Sequence, residues 1–207
     1  MALKIVFQDE RLLAIDKLSG LLAVPGLGPE NQENLAHQVQ QQFPRALVVH
    51  RLDRDTSGLI LFALDPQSQR HLSRQFQERL VEKRYIGVVH GRLENESGRI
   101  ELPLRRDFAN PPRHRVDPVH GRMAVTDWRV LRRQPDRTRL ELTPLTGRSH
   151  QLRIHMQQLG HPILGDNLYA GPDALVMADR LLLHAERIMI EHPSTGWRLC
   201  LTANCPF

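Results

Sequence analysis

Six consecutive residues, His50-Arg51-Leu52-Asp53-Arg54-Asp55, place an imidazole, two guanidiniums and two carboxylates between the apolar runs Val48-Val49 and Leu59-Ile60-Leu61-Phe62. The flanks read as strands, so the charged residues must turn between them at the rim of a sheet. An ionised carboxylate held at such a rim can act as a nucleophile or a base. Asp55-Thr56-Ser57-Gly58 has the residues of a type I turn, Asp at the first position and Gly at the fourth. Asp55 therefore has structural work, its carboxylate accepting from turn amides. Asp53 has no such local task. Either it makes a surface ion pair with Arg51 or Arg54, or it is there for chemistry, and the spacing leaves both open.

A second candidate lies in residues 146–166, TGRSHQLRIHMQQLGHPILGD. Leu152, Met156 and Leu159 form the apolar stripe of a helix, and Arg153 sits about 100° from Leu152 around the axis. It would flank the buried stripe, where it can pair with a carboxylate on another element or simply face solvent. Tyr85, one of two tyrosines, lies on a strand with Ile86, Val88 and Val89. It is either core or, if exposed, a surface on which a base can stack.

Other chemistries find no support. His150 and His155 are five apart on the same helix, about 140° around it, and so cannot share one ion as an i, i+4 pair does. The chain has no Cys-x-x-Cys, no glycine-rich phosphate loop and no Gly-x-Ser-x-Gly elbow. No metal and no cofactor is expected. Only Cys200 and Cys205 are present, which is no disulfide framework. With no export signal and no apolar run of membrane-spanning length, a cytoplasmic protein is expected. Of 28 basic residues three are lysines and the other 25 arginines, against 23 acids, for a net charge of +5. Arginine suits phosphates and bases, so the charge is consistent with a nucleic-acid partner; a GC-rich genome would produce the same bias. Nothing signals a large apolar interface, so a monomer with no obligate protein partner and no membrane association is expected.

Positioning these residues calls for an α+β architecture, a single domain spanning 1–207 with a mixed, largely antiparallel sheet flanked by helices and loops. Strands are predicted over residues 3–8, 11–17, 46–49, 58–64, 83–90, 123–131, 139–145, 181–190 and 197–202. Gly20 to Pro29 reads as loop, and Asn34 to Phe43 as a helix stopped by Pro44. Asp65-Pro66 opens a second helix, with Leu72, Phe76 and Leu80 as its apolar face. Ser149 is expected to cap the third, which Gly160 ends. Residues 103–121, with four prolines and four arginines, show no periodicity.

With these residues in view, the sequence resembles the RluA family of pseudouridine synthases. HRLDRDTSGL (50–59) is similar to the family's catalytic loop without a mismatch. KRYIGVVHG (83–91) resembles its tyrosine strand, GRSHQLRIHMQQLGHPILGD (147–166) its arginine helix, and LLLHA (181–185) a further segment. The first motif, DKLSGLLAVPG (16–26), stands close to the start of the chain, which implies no N-terminal S4 domain. Residues 165–186 are most similar to family members that modify both a 23S rRNA hairpin and the anticodon loop of certain tRNAs. Leu18 stands where the family usually has Pro, and Ala170 where many relatives have Gly.

The resemblance implies that Asp53 attacks C1′ of the ribose or C6 of the base, and that Arg153 keeps it ionised by a nearby opposite charge. Tyr85 would stack on the target base and help remove the C5 proton. Arg51 would fill the gap left by the flipped uridine. Arg105, Arg106, Arg113 and Arg115, with Arg122 nearby, would grip the phosphates of an RNA stem-loop. Two rivals remain: a metal-dependent nuclease using Asp53 and Asp55, and an RNA-binding module in which Asp53 is dispensable.

Overall fold

The computed structural model describes residues 3–26 and 33–207; residues 27–29 of the expected Gly20–Pro29 loop lie outside them. The strands are β1 (Ile5–Gln8), β2 (Leu12–Lys17), β3 (Leu47–Val48), β4 (Ser57–Ala63), β5 (Glu82–His90) and β6 (Ser97–Arg106), then β7 (His114–Val116), β8 (Arg122–Arg133), β9 (Arg137–Pro144), β10 (Leu183–Glu191) and β11 (Arg198–Thr202). The helices are α1 (Leu35–Gln42), α2 (Pro66–Gln77), α3 (Gln151–Gln158) and α4 (Pro172–Val176). Chain contacts divide into two compact units, residues 1–83 with 184–206 and residues 84–183 with Phe207. The α+β class is as expected, and among the strand pairs of the described residues antiparallel pairing prevails, with β4 and β10 parallel.

In the first unit β4 is the central strand. On one side it pairs antiparallel with β2, from Leu12↔Ala63 to Lys17↔Gly58. Its other side is shared, parallel to β10 at Ser57↔His184 and Gly58↔Ala185 and antiparallel to β3 at Val48↔Phe62. Every residue of β2 and β4 is buried, which is why Leu12–Ile15 and Leu59–Ala63 read as continuous apolar runs rather than alternating ones. Asp65 caps α2 as expected, its carboxylate accepting from the amides of Gln67 at 2.8 Å and Ser68 at 2.9 Å. Leu72 enters the core and Phe76 packs against it. Leu80 does not complete the stripe. The helix ends at Gln77, Arg79 takes a left-handed φ of 61°, and Leu80 is left 60% exposed.

The expected turn at Asp55–Gly58 is also corrected. Ser57 and Gly58 open β4 instead, because two neighbouring strands claim their backbone. Gly58 has φ +109°, and a Cβ there would stand 2.3 Å from the carbonyl oxygen of Ala185. Glycine is required by the close approach of β10, not by a turn.

The second unit is an antiparallel sheet in the order β5-β9-β8-β6-β7. Along β9 half-buried and buried residues alternate, sending Leu140 and Leu142 into a core shared with Trp128, Leu152 and Met156. The stretch 103–121 is less irregular than its composition suggests. β6 continues to Arg106 and returns as β7, with Leu104↔Val116, Arg105↔Arg115 and Arg106↔His114 in register. Pairing of β6 with β8 holds this segment extended, which needs no apolar periodicity on a strand facing solvent. α3 begins one residue later than expected, behind His150 in the left-handed region at φ 55°. Ser149 is not its cap. The Gln151 carboxamide oxygen takes that part locally, accepting from the Arg148 amide at 3.0 Å and the Thr146 hydroxyl at 2.7 Å.

Gly58→Ala is predicted to lower unfolding stability by about 3 kcal/mol or more, from left-handed strain and the clash with β10. Urea denaturation of the purified variant measures it.

Candidate active site

The loop between β3 and β4 is anchored at several residues around Asp53. The His50 imidazole, stacked on Phe76 at 4.4 Å, accepts the Leu61 amide at 3.0 Å through Nε2. That amide lies on the side of β4 between the reach of β10 and that of β3, so His50 stands in for a strand there. Burial, and then the positive charge of Lys83, pushes the His50 pKa down to about 3. The ring is thus neutral and able to accept. Leu52 is buried. The Arg54 guanidinium donates to the Gly20 carbonyl at 3.1 Å, and Gly20 returns its amide to Arg54 O at 3.0 Å.

Beneath the loop lies Lys17, 1% exposed. A buried ammonium is tolerated only when its protons are satisfied. Its Nζ donates to the carbonyls of Leu18, Leu21 and Arg54, each at 2.8 Å. Ser19 Oγ donates to Asp55 O at 2.6 Å. At the far end His184 donates through Nε2 to Ala203 O at 3.1 Å, so Nδ1 accepts from Ser57 Oγ at 2.9 Å. None of these anchors uses the Asp53 carboxylate, which is half-buried in a loop fixed on both sides. Arg51 is exposed and meets no acceptor among the described residues, and Arg54 is committed to Gly20. The neighbour ion pair that would give Asp53 a plain surface role is therefore not formed.

In the second unit, Tyr85 is half-buried on β5, opposite Leu142, with its ring against the core of that unit. Arg153 is not a solvated helix residue: its side chain is 2% exposed. Nε donates to Asp166 Oδ2 at 2.8 Å and Nη2 to Oδ1 at 2.6 Å, a two-pronged fork, with Asn167 Oδ1 a further acceptor of Nη2 at 3.1 Å. Asp166, fully buried, also accepts the amides of Leu168 at 2.9 Å and Tyr169 at 3.0 Å. The Arg153 guanidinium carbon lies 5.3 Å from the centre of the Tyr169 ring. The Tyr169 hydroxyl then accepts the His114 amide at 2.8 Å and meets His150 Nδ1 at 2.7 Å.

From there the β6–β7 hairpin carries the basic residues. Arg105 and Arg115 both reach Asp117 Oδ2, at 3.4 and 3.3 Å, while Arg106, Arg113 and Arg122 are exposed. Asp117 also accepts the amides of His120 and Val119, and these bonds hold its pKa below the usual carboxylate range. His155, completely buried, has no hydrogen-bond partner on either ring nitrogen, and burial pushes its pKa down to about 4. It is therefore a neutral core histidine, different in kind from His150. Among the described residues no three His, Cys, Asp or Glu side chains group as a metal ion requires, and no helix is long and apolar enough to cross a membrane.

Lys17, His50, His184 and Asp166 were not singled out by residue type or spacing. For Asp166 a signal existed: it closes the same segment as Arg153, thirteen residues on, behind a glycine of left-handed φ.

A family model described as RNA pseudouridylate synthase matches residues 11–158. The chain belongs to that family, and it is accordingly an RNA pseudouridine synthase, an isomerase. Among its relatives is the dual-specificity RNA pseudouridine synthase RluA of Haemophilus influenzae, 48% identical over 206 residues, covering 99% of this chain and 94% of the relative. The protein of the same name from Escherichia coli K12 is 45% identical, with the same coverage. Of solved structures, human RNA pseudouridylate synthase domain containing 1 superposes with a TM-score of 0.84 at 26% identity, over 100% of this chain and 84% of its own.

Asp166→Asn is predicted to cost about 3–5 kcal/mol of stability, because it leaves a buried guanidinium charge uncompensated. Thermal or urea unfolding checks this.

Proposed function

We propose that this enzyme isomerises specific uridines in a 23S rRNA hairpin and in the anticodon stem-loop of tRNA, with Asp53 as its catalytic residue. The substrate pair is supported by the 45–48% identity to the dual-specificity relatives over nearly the whole chain. One observation carries the catalytic assignment: the 50–57 loop, which holds Asp53 half-buried, is anchored by the side chains of Lys17, Ser19, His50, Arg54 and Ser57 and so presents its carboxylate from a fixed backbone. The family match from 11 to 158 runs through both compact units, which supports their acting as one catalytic domain.

In the reaction the C1′–N1 bond of uridine breaks, the base turns, and a C1′–C5 bond forms. The C5 proton leaves to solvent and N1 gains one, so nothing is oxidised or reduced and no cofactor enters the balance. Asp53 attacks as the carboxylate, and Arg153 supplies the positive charge that favours this form. Tyr85 stacks on the target base and assists removal of the C5 proton. Arg51, exposed and uncommitted among the described residues, enters the helical gap left when the uridine flips out. Arg105, Arg106, Arg113 and Arg115 hold the phosphates. The enzyme works as a cytoplasmic monomer.

The test is tritium release from RNA stem-loops labelled at uridine C5, without added metal. Wild type should release tritium and leave the strand intact, and Asp53→Asn should reduce release by about 10⁴-fold or more, as loss of a covalent nucleophile does. Strand cleavage that depends on metal would favour a nuclease, and undiminished release by Asp53→Asn would overturn the mechanism. Arg51→Ala should melt within about 2 °C of wild type, as an exposed side chain with no partner allows, yet lose most turnover.

A further inference from the structure

The tip of the β6–β7 hairpin carries Phe108, 70% exposed, a residue with no place in the proposal above. A single exposed apolar side chain is ordinary; what surrounds this one is not. The guanidinium carbons of Arg105 and Arg106 lie 5.4 and 5.8 Å from the centre of its ring. We propose that Phe108 is a stacking platform for an unpaired nucleobase of the substrate, with Arg105 and Arg106 holding the phosphates beside it. The proposal rests on the RNA-modifying function and adds to it a recognition contact away from the reacting uridine.

Three features support it. The loop presenting the ring is braced: Asp107 Oδ1 accepts the Ala109 amide at 3.1 Å, and its Oδ2 accepts Asn110 Nδ2 at 2.9 Å. The Asp107 amide donates to Arg113 O and the Arg113 amide to Asn110 O, each at 2.9 Å. A ring held out on a preorganised hairpin costs little further ordering when a ligand binds.

The surroundings also select the ligand. Between Leu104 and Asp117 the hairpin carries Arg105, Arg106, Arg113 and Arg115 against the acids Asp107 and Asp117, and both acids accept from the loop's own backbone. A protein partner would be met by a wider apolar patch, depleted of charge at its centre. An aromatic ring among cations is instead what a single-stranded nucleic acid uses, its base stacking while its phosphates are neutralised.

Finally, the hairpin is tied to the site. The His114 amide, at the start of β7, donates to the Tyr169 hydroxyl, and the Tyr169 ring lies against Arg153. A base captured at Phe108 is thus held by a frame continuous with the buried Arg153–Asp166 pair. Phe108 is a positioning residue, and its effect belongs in binding.

Phe108→Ala, Phe108→Leu and Phe108→Trp are compared with wild type for binding and tritium release on an anticodon stem-loop RNA, and for binding to a fully paired duplex of the same length. The alanine variant should raise Kd and KM about ten-fold, with kcat changed less than about two-fold. Leucine, apolar without a π face, should behave like alanine, and tryptophan should restore wild-type binding. Duplex binding should be equal in all four. Wild-type binding by the alanine or leucine variant, with wild type active, would overturn the stacking role. Equal losses on duplex and stem-loop would overturn it as well, showing a contact blind to unpaired bases. Wild type failing to act on any stem-loop would sink the function itself, and the platform with it.

Discussion

The second unit is organised around one buried ion pair, the fork between Arg153 and Asp166. Taking both charges out of water costs several kcal/mol for each, and attraction repays this only in good geometry with the remaining valences met. Here they are met: Asn167 and the amides of Leu168 and Tyr169 complete the set. Such a pair contributes little net stability, but it tolerates only one arrangement. It fixes α3 against the 165–169 turn, that turn fixes Tyr169, and Tyr169 holds the base of the arginine hairpin through His114. The side chains that meet RNA in the proposed function are thus aimed by a contact that water does not reach.

The first unit also buries a charge, that of Lys17. Three carbonyls accept from Lys17 Nζ, one of them on the loop that carries Asp53. Carbonyl dipoles meet the protons of a buried ammonium without adding a charge of their own. His50 follows the same logic, since a neutral ring completes the backbone bonding of β4 without adding charge.

Much of this was legible in the sequence. The order of strands and helices followed from apolar patterning except for β6, β7 and α4, which were not predicted, the cap at Asp65 from residue type, and the family resemblance from the 50–59 and 147–166 segments. What was missed has a common cause. Gly58 looked like a turn residue because the strand that crowds it comes 127 positions later. Arg153 could be read as paired or as solvated, because periodicity places a residue on a helix face but says nothing of what the rest of the chain lays over that face. The 103–121 stretch looked irregular because arginines on a solvent-facing hairpin need only cross-strand pairing. Phe108 lay hidden as one apolar residue among prolines, its significance set by two guanidiniums that folding brings over it.

The parallel pairing of β4 with β10 has a consequence in time. Ser57 and Gly58, which close the loop that carries Asp53, take their partners from His184 and Ala185, and His184 in turn is pinned by Ala203. On the ribosome, everything from Lys17 to Ala63 emerges well before those partners exist. Throughout that interval β4 has an unclaimed edge, and the aspartate loop lacks its downstream support. The unit can close only when residues 184–203 arrive, which makes its assembly a late, non-local event. A nascent chain with all its signature residues already translated is therefore still an unfinished enzyme, and the last strands to be made set when it can first act on RNA.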